Sequence, residues 1–277
     1  MANFWACLWR AFRRVWPSCL TQAQAVAFIM FLAFFPMLLL VMGLVSRWEF
    51  LRDGADEMFS STKLLMPPGM FAVLSDFLAR HAENPLSWAS VGLVGTLLAG
   101  MQMMRLLLVG FHMAQKIDHP KTPEQFLRGL ILLIVTLVPT VLAIAIAVFG
   151  KSVRIIITEE FGSPLWMRVL LAVALTLIAL GLAMAVLSLV YRVGTRGVRK
   201  WGDVTPGAIV ATPLWWVASW TFGIYMRHVP YNLIYGGLAT AIGVMIWMNF
   251  TVIIIFLGAA FNAERNPPPV SATSAAG

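Results

Sequence analysis

Long apolar runs, almost free of charged side chains, constrain this chain more than any other feature of its sequence. A helix needs about 20 predominantly apolar residues to cross about 30 Å of hydrocarbon. The runs of sufficient length are residues 25–46, 88–113, 126–149, 165–191, 204–226 and 238–261. Because lipid offers the backbone no hydrogen-bonding partner, such runs form helices rather than barrel strands. We therefore predict an all-α, polytopic membrane protein whose membrane domain, residues 25–261, has six transmembrane helices.

The composition agrees with a membrane protein, because 60% of the 277 residues are hydrophobic and only 12% are charged. Soluble domains are about 25% charged. The formal net charge of +8 fits membrane topology and contact with anionic headgroups. We therefore expect membrane lipids as partners and no nucleic acid.

Three segments outside the spans have compositions of their own. Residues 1–24 contain "FWACLWRAFRRVW", whose arginines and aromatic residues fall on opposite sides of a helix, a pattern typical of helices in the membrane interface. Pro17 is expected to end that helix. The loop 47–87 is rich in acidic residues, and helical spacing of apolar residues at 70–78 predicts a short helix there. The tail 262–277 has little apolar bulk, which predicts disorder.

The basic residues beside the spans predict the orientation of the chain. The segment 191–203 holds Arg192, Arg196, Arg199 and Lys200 against the single acid Asp203. Loops with an excess of Lys and Arg stay on the cytoplasmic side. We therefore expect both termini to be cytoplasmic, with the 47–87 loop outside.

The positions of the carboxylates argue against enzymatic chemistry. All 12 Asp and Glu residues lie outside the spans or at their very ends. The sequence also has no paired carboxylates, HExxH, GxSxG, phosphate-binding loop or Cys/His cluster. Cys7 and Cys19 do not have the spacing of metal ligands. We expect no catalytic residue, no metal and no cofactor.

Prolines near the middle of alternate spans are the first candidates for a functional site. Pro36, Pro139 and Pro213 lie in the first, third and fifth expected spans. Each removes one helical hydrogen bond and frees carbonyl groups near the midplane. Loosened backbone is tolerated where it borders a cavity, as in transporters. The alternative is a packed kink, satisfied by neighbouring side chains.

Three polar side chains inside the spans complete the candidate path. Arg105, with Gln102 near it, either snorkels to the membrane surface or holds an anionic group of a solute or lipid. Asn249 in the last span forms an interhelical hydrogen bond or lines the same cavity. A seam of small residues, Gly92, Thr96 and Gly100, predicts close helix packing.

The last two spans carry a recognisable pattern. "YNLIYG" at 231–236, then a tryptophan and then a Gly-Ala pair, resembles the YihY/virulence factor BrkB family of bacterial inner-membrane proteins. The residues of the pattern are Tyr231, Tyr235, Gly236, Trp247, Gly258 and Ala259. The resemblance implies a six-span protein of the bacterial inner membrane, with cytoplasmic termini and a link to envelope integrity. The ribonuclease label that the family has carried finds no support in these residues.

The sequence departs from the family pattern at a few positions. Phe28 and Ala33 stand where the family often has Tyr and Ser, and Ala260 stands where a Glu commonly follows Gly-Ala. Tyr235 is open to two interpretations, since it either anchors a turn at the interface or faces a substrate path.

Two functions remain open at this point. One is a transporter or translocator of a small solute or a lipid, with anionic lipid among its substrates. Its path would be lined by Arg105, Gln102, Asn249, Tyr235, Pro36, Pro139 and Pro213. The other is a non-transporting scaffold of the envelope, which recruits partners through its interfacial helix and its acidic loop.

Overall fold

The structure is a computed structural model, which describes residues 4–45, 85–115, 127, 129–134, 165–194, 200–228 and 237–266. All secondary structure within these ranges is helical. The main helices are α1 (Phe4–Ser18), α2 (Leu20–Val45), α3 (Pro85–Gln115), α4 (Leu165–Gly194), α5 (Trp201–His228) and α6 (Gly237–Arg265). Residues 127 and 129–134 are helical as well. The all-α prediction is confirmed.

Five helices contain stretches that are long and apolar enough to cross a membrane. These stretches are Leu20–Met37, Ser87–Gln115, Thr176–Gly194, Trp201–Met226 and Ala241–Arg265. They coincide with the expected first, second, fourth, fifth and sixth spans. Most of the expected third span, 126–149, lies outside the described residues, as does the loop 47–87 up to the start of α3.

Both ends of the expected membrane domain differ from the expected bounds. The break between α1 and α2 falls at Cys19, so Pro17 lies inside α1 and does not end it. The backbone N–H of Cys19 donates to the carbonyl of Val15 at 3.0 Å, which continues the helical pattern up to the break. At the other end, α6 continues to Arg265, into residues that were expected to belong to a disordered tail.

The chain forms two compact units. Unit 1 comprises Met1–Gln22, Met104–Val217 and Ile253–Gly277, and unit 2 comprises Ala23–Met103 and Ala218–Val252. In unit 1 the aromatic side chains of Phe111, Tyr191 and Phe256 are fully buried. The ring of Phe111 meets that of Tyr191 edge-on at 5.7 Å and that of Phe256 edge-on at 5.9 Å between centroids. These three rings form an apolar core in unit 1.

Unit 2 is organised around a proline and two glycines. A Cβ atom on Gly92 would lie 2.8 Å from the carbonyl oxygen of Pro36, and one on Gly95 would lie 2.7 Å from Pro36 Cβ. Only glycine therefore allows α2 and α3 to approach this closely. The predicted small-residue seam packs closely at Gly92, and Gly95, which was not among its predicted members, also lies against Pro36.

Candidate functional site

The start of α5 in unit 1 is shaped by a cap and a proline. The carboxylate of Asp203 accepts a hydrogen bond from the backbone N–H of Lys200 at 3.2 Å, and the Asp203 N–H donates to the Lys200 carbonyl at 3.0 Å. An acidic residue in the first turn also complements the helix dipole. Pro206, one turn further on, has no N–H to donate to the helix. The first turns of α5 are thus held by side chains as well as by the helical ladder.

The amide of Asn262 on α6 completes these first turns of α5. Its Oδ1 accepts from the backbone N–H of Gly207 at 2.6 Å, and its Nδ2 donates to the carbonyl of Val204 at 2.8 Å. Asn262 is buried, so both polar ends of its amide are satisfied by protein groups. One turn later Asn266 Nδ2 donates to Asp203 Oδ1 at 3.1 Å. The last turns of α6 and the first turns of α5 are therefore paired by side chains.

The backbones of α5 and α6 also touch directly. A Cβ on Gly207 would overlap the carbonyl oxygen of Gly258 and lie 2.6 Å from Asn262 Cγ. A Cβ on Gly258 would overlap the hydroxyl of Tyr191 and lie 2.8 Å from the carbonyl oxygen of Gly207. Real Cβ atoms essentially never approach other atoms this closely. The glycine of the Gly258-Ala259 pair is thus required by packing.

Tyr191 of α4 joins the same contact from a third helix. Its side chain is fully buried, and its hydroxyl donates to the carbonyl of Ile255 at 2.8 Å. We call the residues Tyr191, Val204, Gly207, Gly258 and Asn262 the helix junction. It links α4, α5 and α6 through hydrogen bonds from the side chains of Tyr191 and Asn262 to backbone atoms of neighbouring helices.

Sequence reasoning missed the two polar members of the helix junction. Asn262 was assigned to the tail, and Tyr191 was taken only as the end of the fourth span. One signal was available, because Asn262 follows Gly258 by one helical turn and therefore shares its face. A glycine and an amide on one face of a spanning helix indicate a close, hydrogen-bonded helix contact.

A second set of contacts ties α1 to the remainder of unit 1. Glu264 accepts from Arg10 Nε at 3.2 Å and forms an ion pair with Arg14. Arg14 also donates to the carbonyl of Ala114 at the end of α3, at 3.5 Å. Gln22, in the first turn of α2, donates to the carbonyl of Leu106 at 2.8 Å. These bonds satisfy carbonyl groups near the end of α3 and fix α1 to α6.

The polar residues predicted for a path are distributed over both units. Gln102 and Arg105 lie on α3, where Gln102 is exposed and belongs to unit 2, while Arg105 is half-buried and belongs to unit 1. Asn249 is half-buried on α6 within unit 2. None of the three is part of the helix junction.

The predicted prolines have different surroundings. Pro36 packs on the glycines of α3, which agrees with a packed kink, and Pro213 is exposed on α5. Pro139 and the motif residues Tyr231, Tyr235 and Gly236 lie outside the described residues.

The remaining motif positions and departures are described. Trp247 Nε1 donates to Ser219 Oγ at 3.1 Å, which links α6 to α5 within unit 2. Ala260, which stands where the family commonly has Glu, is fully buried in unit 1. Phe28 is exposed and Ala33 is half-buried on α2.

Two further observations concern reactive side chains. Among the described residues, no three of His, Cys, Asp and Glu lie together in a way that could hold a metal ion. Both cysteines are free and buried, and burial raises the pKa of the Cys19 thiol to about 11. A thiol with so high a pKa is a poor nucleophile at neutral pH.

Comparisons with known proteins relate almost the whole chain to one family. The family model described as Virulence factor BrkB matches residues 12–274. A UPF0761 membrane protein of Aromatoleum aromaticum is 26% identical over 249 residues, which are 88% of this chain and 60% of that protein. The ribonuclease-like protein YfkH of Bacillus subtilis is 23% identical over 247 residues, which are 88% of either chain. A UPF0761 membrane protein of Pseudoalteromonas translucida is 23% identical over 224 residues, 78% of this chain and 73% of that protein. No solved structure matches the chain.

Proposed function

Because this chain belongs to the virulence factor BrkB family, we propose that it is a translocator, which moves a small solute or a lipid of the cell envelope across the bacterial inner membrane. Both termini lie on the cytoplasmic side in this proposal, as the basic residues of 191–203 indicate. The chain acts as a carrier or conduit and not as an enzyme. The ribonuclease-like name belongs to the Bacillus relative and is not extended to this chain.

The observation that carries the proposal is an exposed amide on a spanning helix. Gln102 continues the exposed stripe of α3 formed by Val91, Val94 and Leu98, at helical spacing. An amide facing lipid without a hydrogen-bond partner is costly, whereas an amide facing a polar path is not. Arg105 follows three residues later on the same face of α3 and is half-buried. An amide and a guanidinium in series suit a solute or headgroup that carries an anionic group.

The contacts within each unit, taken separately, support different roles in this proposal. The helix junction fixes α4, α5 and α6 of unit 1 through hydrogen bonds to backbone groups. A translocator needs such a fixed frame, against which other helix segments rearrange during the transport cycle. The proline-containing α2 in unit 2 is a suitable moving segment, because Pro36 has already removed one of its helical hydrogen bonds.

The test is transport by the purified full chain in liposomes. One arm follows a fluorescent-headgroup phospholipid between leaflets, and the other follows a small labelled anion across the bilayer. We expect one of the two to move faster than in protein-free vesicles, and the double variant Gln102→Leu, Arg105→Leu to lower that rate about tenfold, the effect of about 1.4 kcal/mol. Leu98→Ala, on the same exposed stripe, is the matched control and should transport like the wild type.

Two outcomes would contradict the proposal. The first is that the wild type accelerates neither probe, and the second is that the double variant transports at the wild-type rate. The alternative function is then a non-transporting scaffold of the envelope. The direct backbone contact between Gly207 and Gly258 favours it, because a solid core in unit 1 suits a static support. Cross-linking in cells should then recover a constant protein partner.

A further inference from the structure

Helix α1 has three distinct faces rather than two. Its small side chains Cys7, Ala11 and Val15 are buried against unit 1. Its large aromatic side chains are instead exposed: Phe4 by 51%, Trp5 by 76%, Trp9 by 62%, Phe12 by 40% and Trp16 by 56%. The arginines lie between these two faces. Phe4 still touches the buried Phe261, with 5.5 Å between ring centroids, whereas the four other aromatic side chains face away from the core.

The aromatic face is ordered by its own contacts. The ring of Phe12 stacks on Trp9 at 5.9 Å and on Trp16 at 5.6 Å between centroids. Tryptophan and phenylalanine in this arrangement are typical of helices that lie at the headgroup level of a bilayer. The position of α1 agrees with that level, because the spanning stretch Leu20–Met37 begins directly after Cys19.

The three arginines of α1 have different environments. Arg10 and Arg14 both form ion pairs with Glu264, so their charges are used within unit 1. Arg13 is exposed and forms no ion pair with any described residue. It follows Trp9 by four residues and precedes Trp16 by three, which places it beside both indoles on the helix surface.

We propose that the exposed face of α1 is a docking surface for anionic phospholipid headgroups, on which Arg13 binds the lipid phosphate beside the stacked row of Trp9, Phe12 and Trp16. The guanidinium supplies a charge-assisted, bidentate contact to phosphate oxygens. The indoles insert at the level of the ester groups and can donate through their N–H groups. Charge complementarity selects the ligand, since the two acidic residues that the structure describes, Asp203 and Glu264, are both engaged elsewhere.

The experiment measures which lipid surrounds the tryptophans in the intact protein. The full chain is reconstituted in phosphatidylcholine vesicles that contain an equal small fraction of either brominated phosphatidylglycerol or brominated phosphatidylcholine. Bromine quenches tryptophan fluorescence on contact. Stronger quenching by brominated phosphatidylglycerol than by brominated phosphatidylcholine therefore reports that phosphatidylglycerol is enriched around the tryptophans. We expect such an excess for the wild type, and we expect 0.5 M NaCl to reduce it because salt screens exposed charges.

Two single variants separate a specific site from a general effect of charge. Arg13→Gln should weaken the preference about fivefold, the effect of one basic residue at an anionic surface. Arg13→Lys keeps the charge and should retain most of the preference. Arg265→Gln removes an exposed arginine at the end of α6 and is the matched control, which should behave like the wild type. Circular dichroism of each variant verifies that it is folded.

A third variant tests whether the excess quenching arises from the tryptophans of α1. Trp9→Phe together with Trp16→Phe removes the two reporters beside Arg13 and should remove most of the excess quenching. The proposal is overturned if the wild type is quenched equally by the two lipids, as it would be if a second copy of the chain covered this face. It is also overturned if Arg13→Gln keeps the full excess, or if Arg265→Gln lowers it as much. None of these readouts depends on transport.

Discussion

The contacts inside unit 1 differ in kind from those inside unit 2. In unit 1, side chains from α4 and α6 hydrogen-bond to backbone atoms of other helices, and two glycines bring α5 and α6 into direct contact. In unit 2, a proline rests against two glycines, and Trp247 donates to Ser219. A contact through backbone hydrogen bonds permits one register only. A proline packed on glycines, with a hydrogen bond between two side chains nearby, leaves the helices more freedom to slide or tilt.

The difference changes the meaning of the family pattern. Gly258 and Ala259 are buried members of unit 1, and Gly258 is required because any larger residue would overlap Tyr191. These positions of the pattern therefore preserve architecture. The residues proposed for transport, Gln102 and Arg105, are not part of the pattern. None of the described pattern residues, Trp247, Gly258 and Ala259, is thus among the residues proposed to line a transport path.

The largest expected effect comes from adding one methyl group to the helix junction. Gly258→Ala places a Cβ against the Tyr191 hydroxyl and the Gly207 carbonyl, and neither can give way without breaking hydrogen bonds. We expect a loss of about 3 kcal/mol in the free energy of unfolding in detergent. Gly181→Ala is the matched control, because nothing lies within 4 Å of a Cβ at that position. Equal melting temperatures for both variants would show that unit 1 is not held as described.

The same change in unit 2 should cost less. A Cβ on Gly92 would overlap the backbone N of Leu40 and approach the Pro36 carbonyl at 2.8 Å. Because Pro36 has removed one hydrogen bond of α2, this helix can tilt away from α3. We therefore expect Gly92→Ala to lower the free energy of unfolding by about 2 kcal/mol. The comparison is made by thermal unfolding of both variants under one condition. A larger loss for Gly92→Ala than for Gly258→Ala would reverse the ranking of the two units.

Much of this comparison could be predicted from the sequence, and the missing parts have a physical reason. The spans follow from hydrophobic length, so five of them coincide with helices. Hydropathy does not report which helices meet, so it could not pair Asn262 with Gly207 or Tyr191 with Ile255. The seam at Gly92 was predicted from residue size. Its partner Pro36 was left open between a packed kink and the border of a cavity, because sequence alone does not tell a packed proline from an open one.

Removing the amide of the helix junction should have an intermediate effect. Asn262→Ala removes the acceptor at 2.6 Å from the Gly207 N–H and the donor at 2.8 Å from the Val204 carbonyl, both in a buried region. We expect a loss of about 1 to 2 kcal/mol in the free energy of unfolding. Asn262→Asp should be nearly as harmful, since a carboxylate accepts from Gly207 but cannot donate to Val204. Asn249→Ala in unit 2 is the control and should change the melting temperature less, and the opposite order would place the stronger amide contact in unit 2.

A smaller effect is expected where α1 meets α6. Glu264→Gln removes the charge that binds Arg10 and Arg14 but keeps a hydrogen-bond acceptor. The Arg10 side chain is 52% exposed, but those of Arg14 and Glu264 are only 22% and 13% exposed, and the glutamine still accepts, so we expect a loss of about 1 kcal/mol. The loss should shrink further in high salt, as measured by thermal unfolding at low and high ionic strength. A salt-independent loss would mean that Glu264 acts through packing and not through charge.

The last prediction concerns the reactivity of the buried thiol of Cys19, which reports how tightly unit 1 is packed between α1 and α2. Burial raises the pKa of its thiol to about 11, so at pH 8 only about 0.1% is thiolate, the form that reacts. In a Cys7→Ala background, we expect labelling by a maleimide to be about a hundredfold slower than for an ordinary thiol, and to accelerate about tenfold per pH unit up to pH 10. Ser18→Cys with Cys19→Ala gives the exposed neighbour as control, which should label rapidly. Equal rates at the two positions would mean that unit 1 opens there as readily as an exposed helix end.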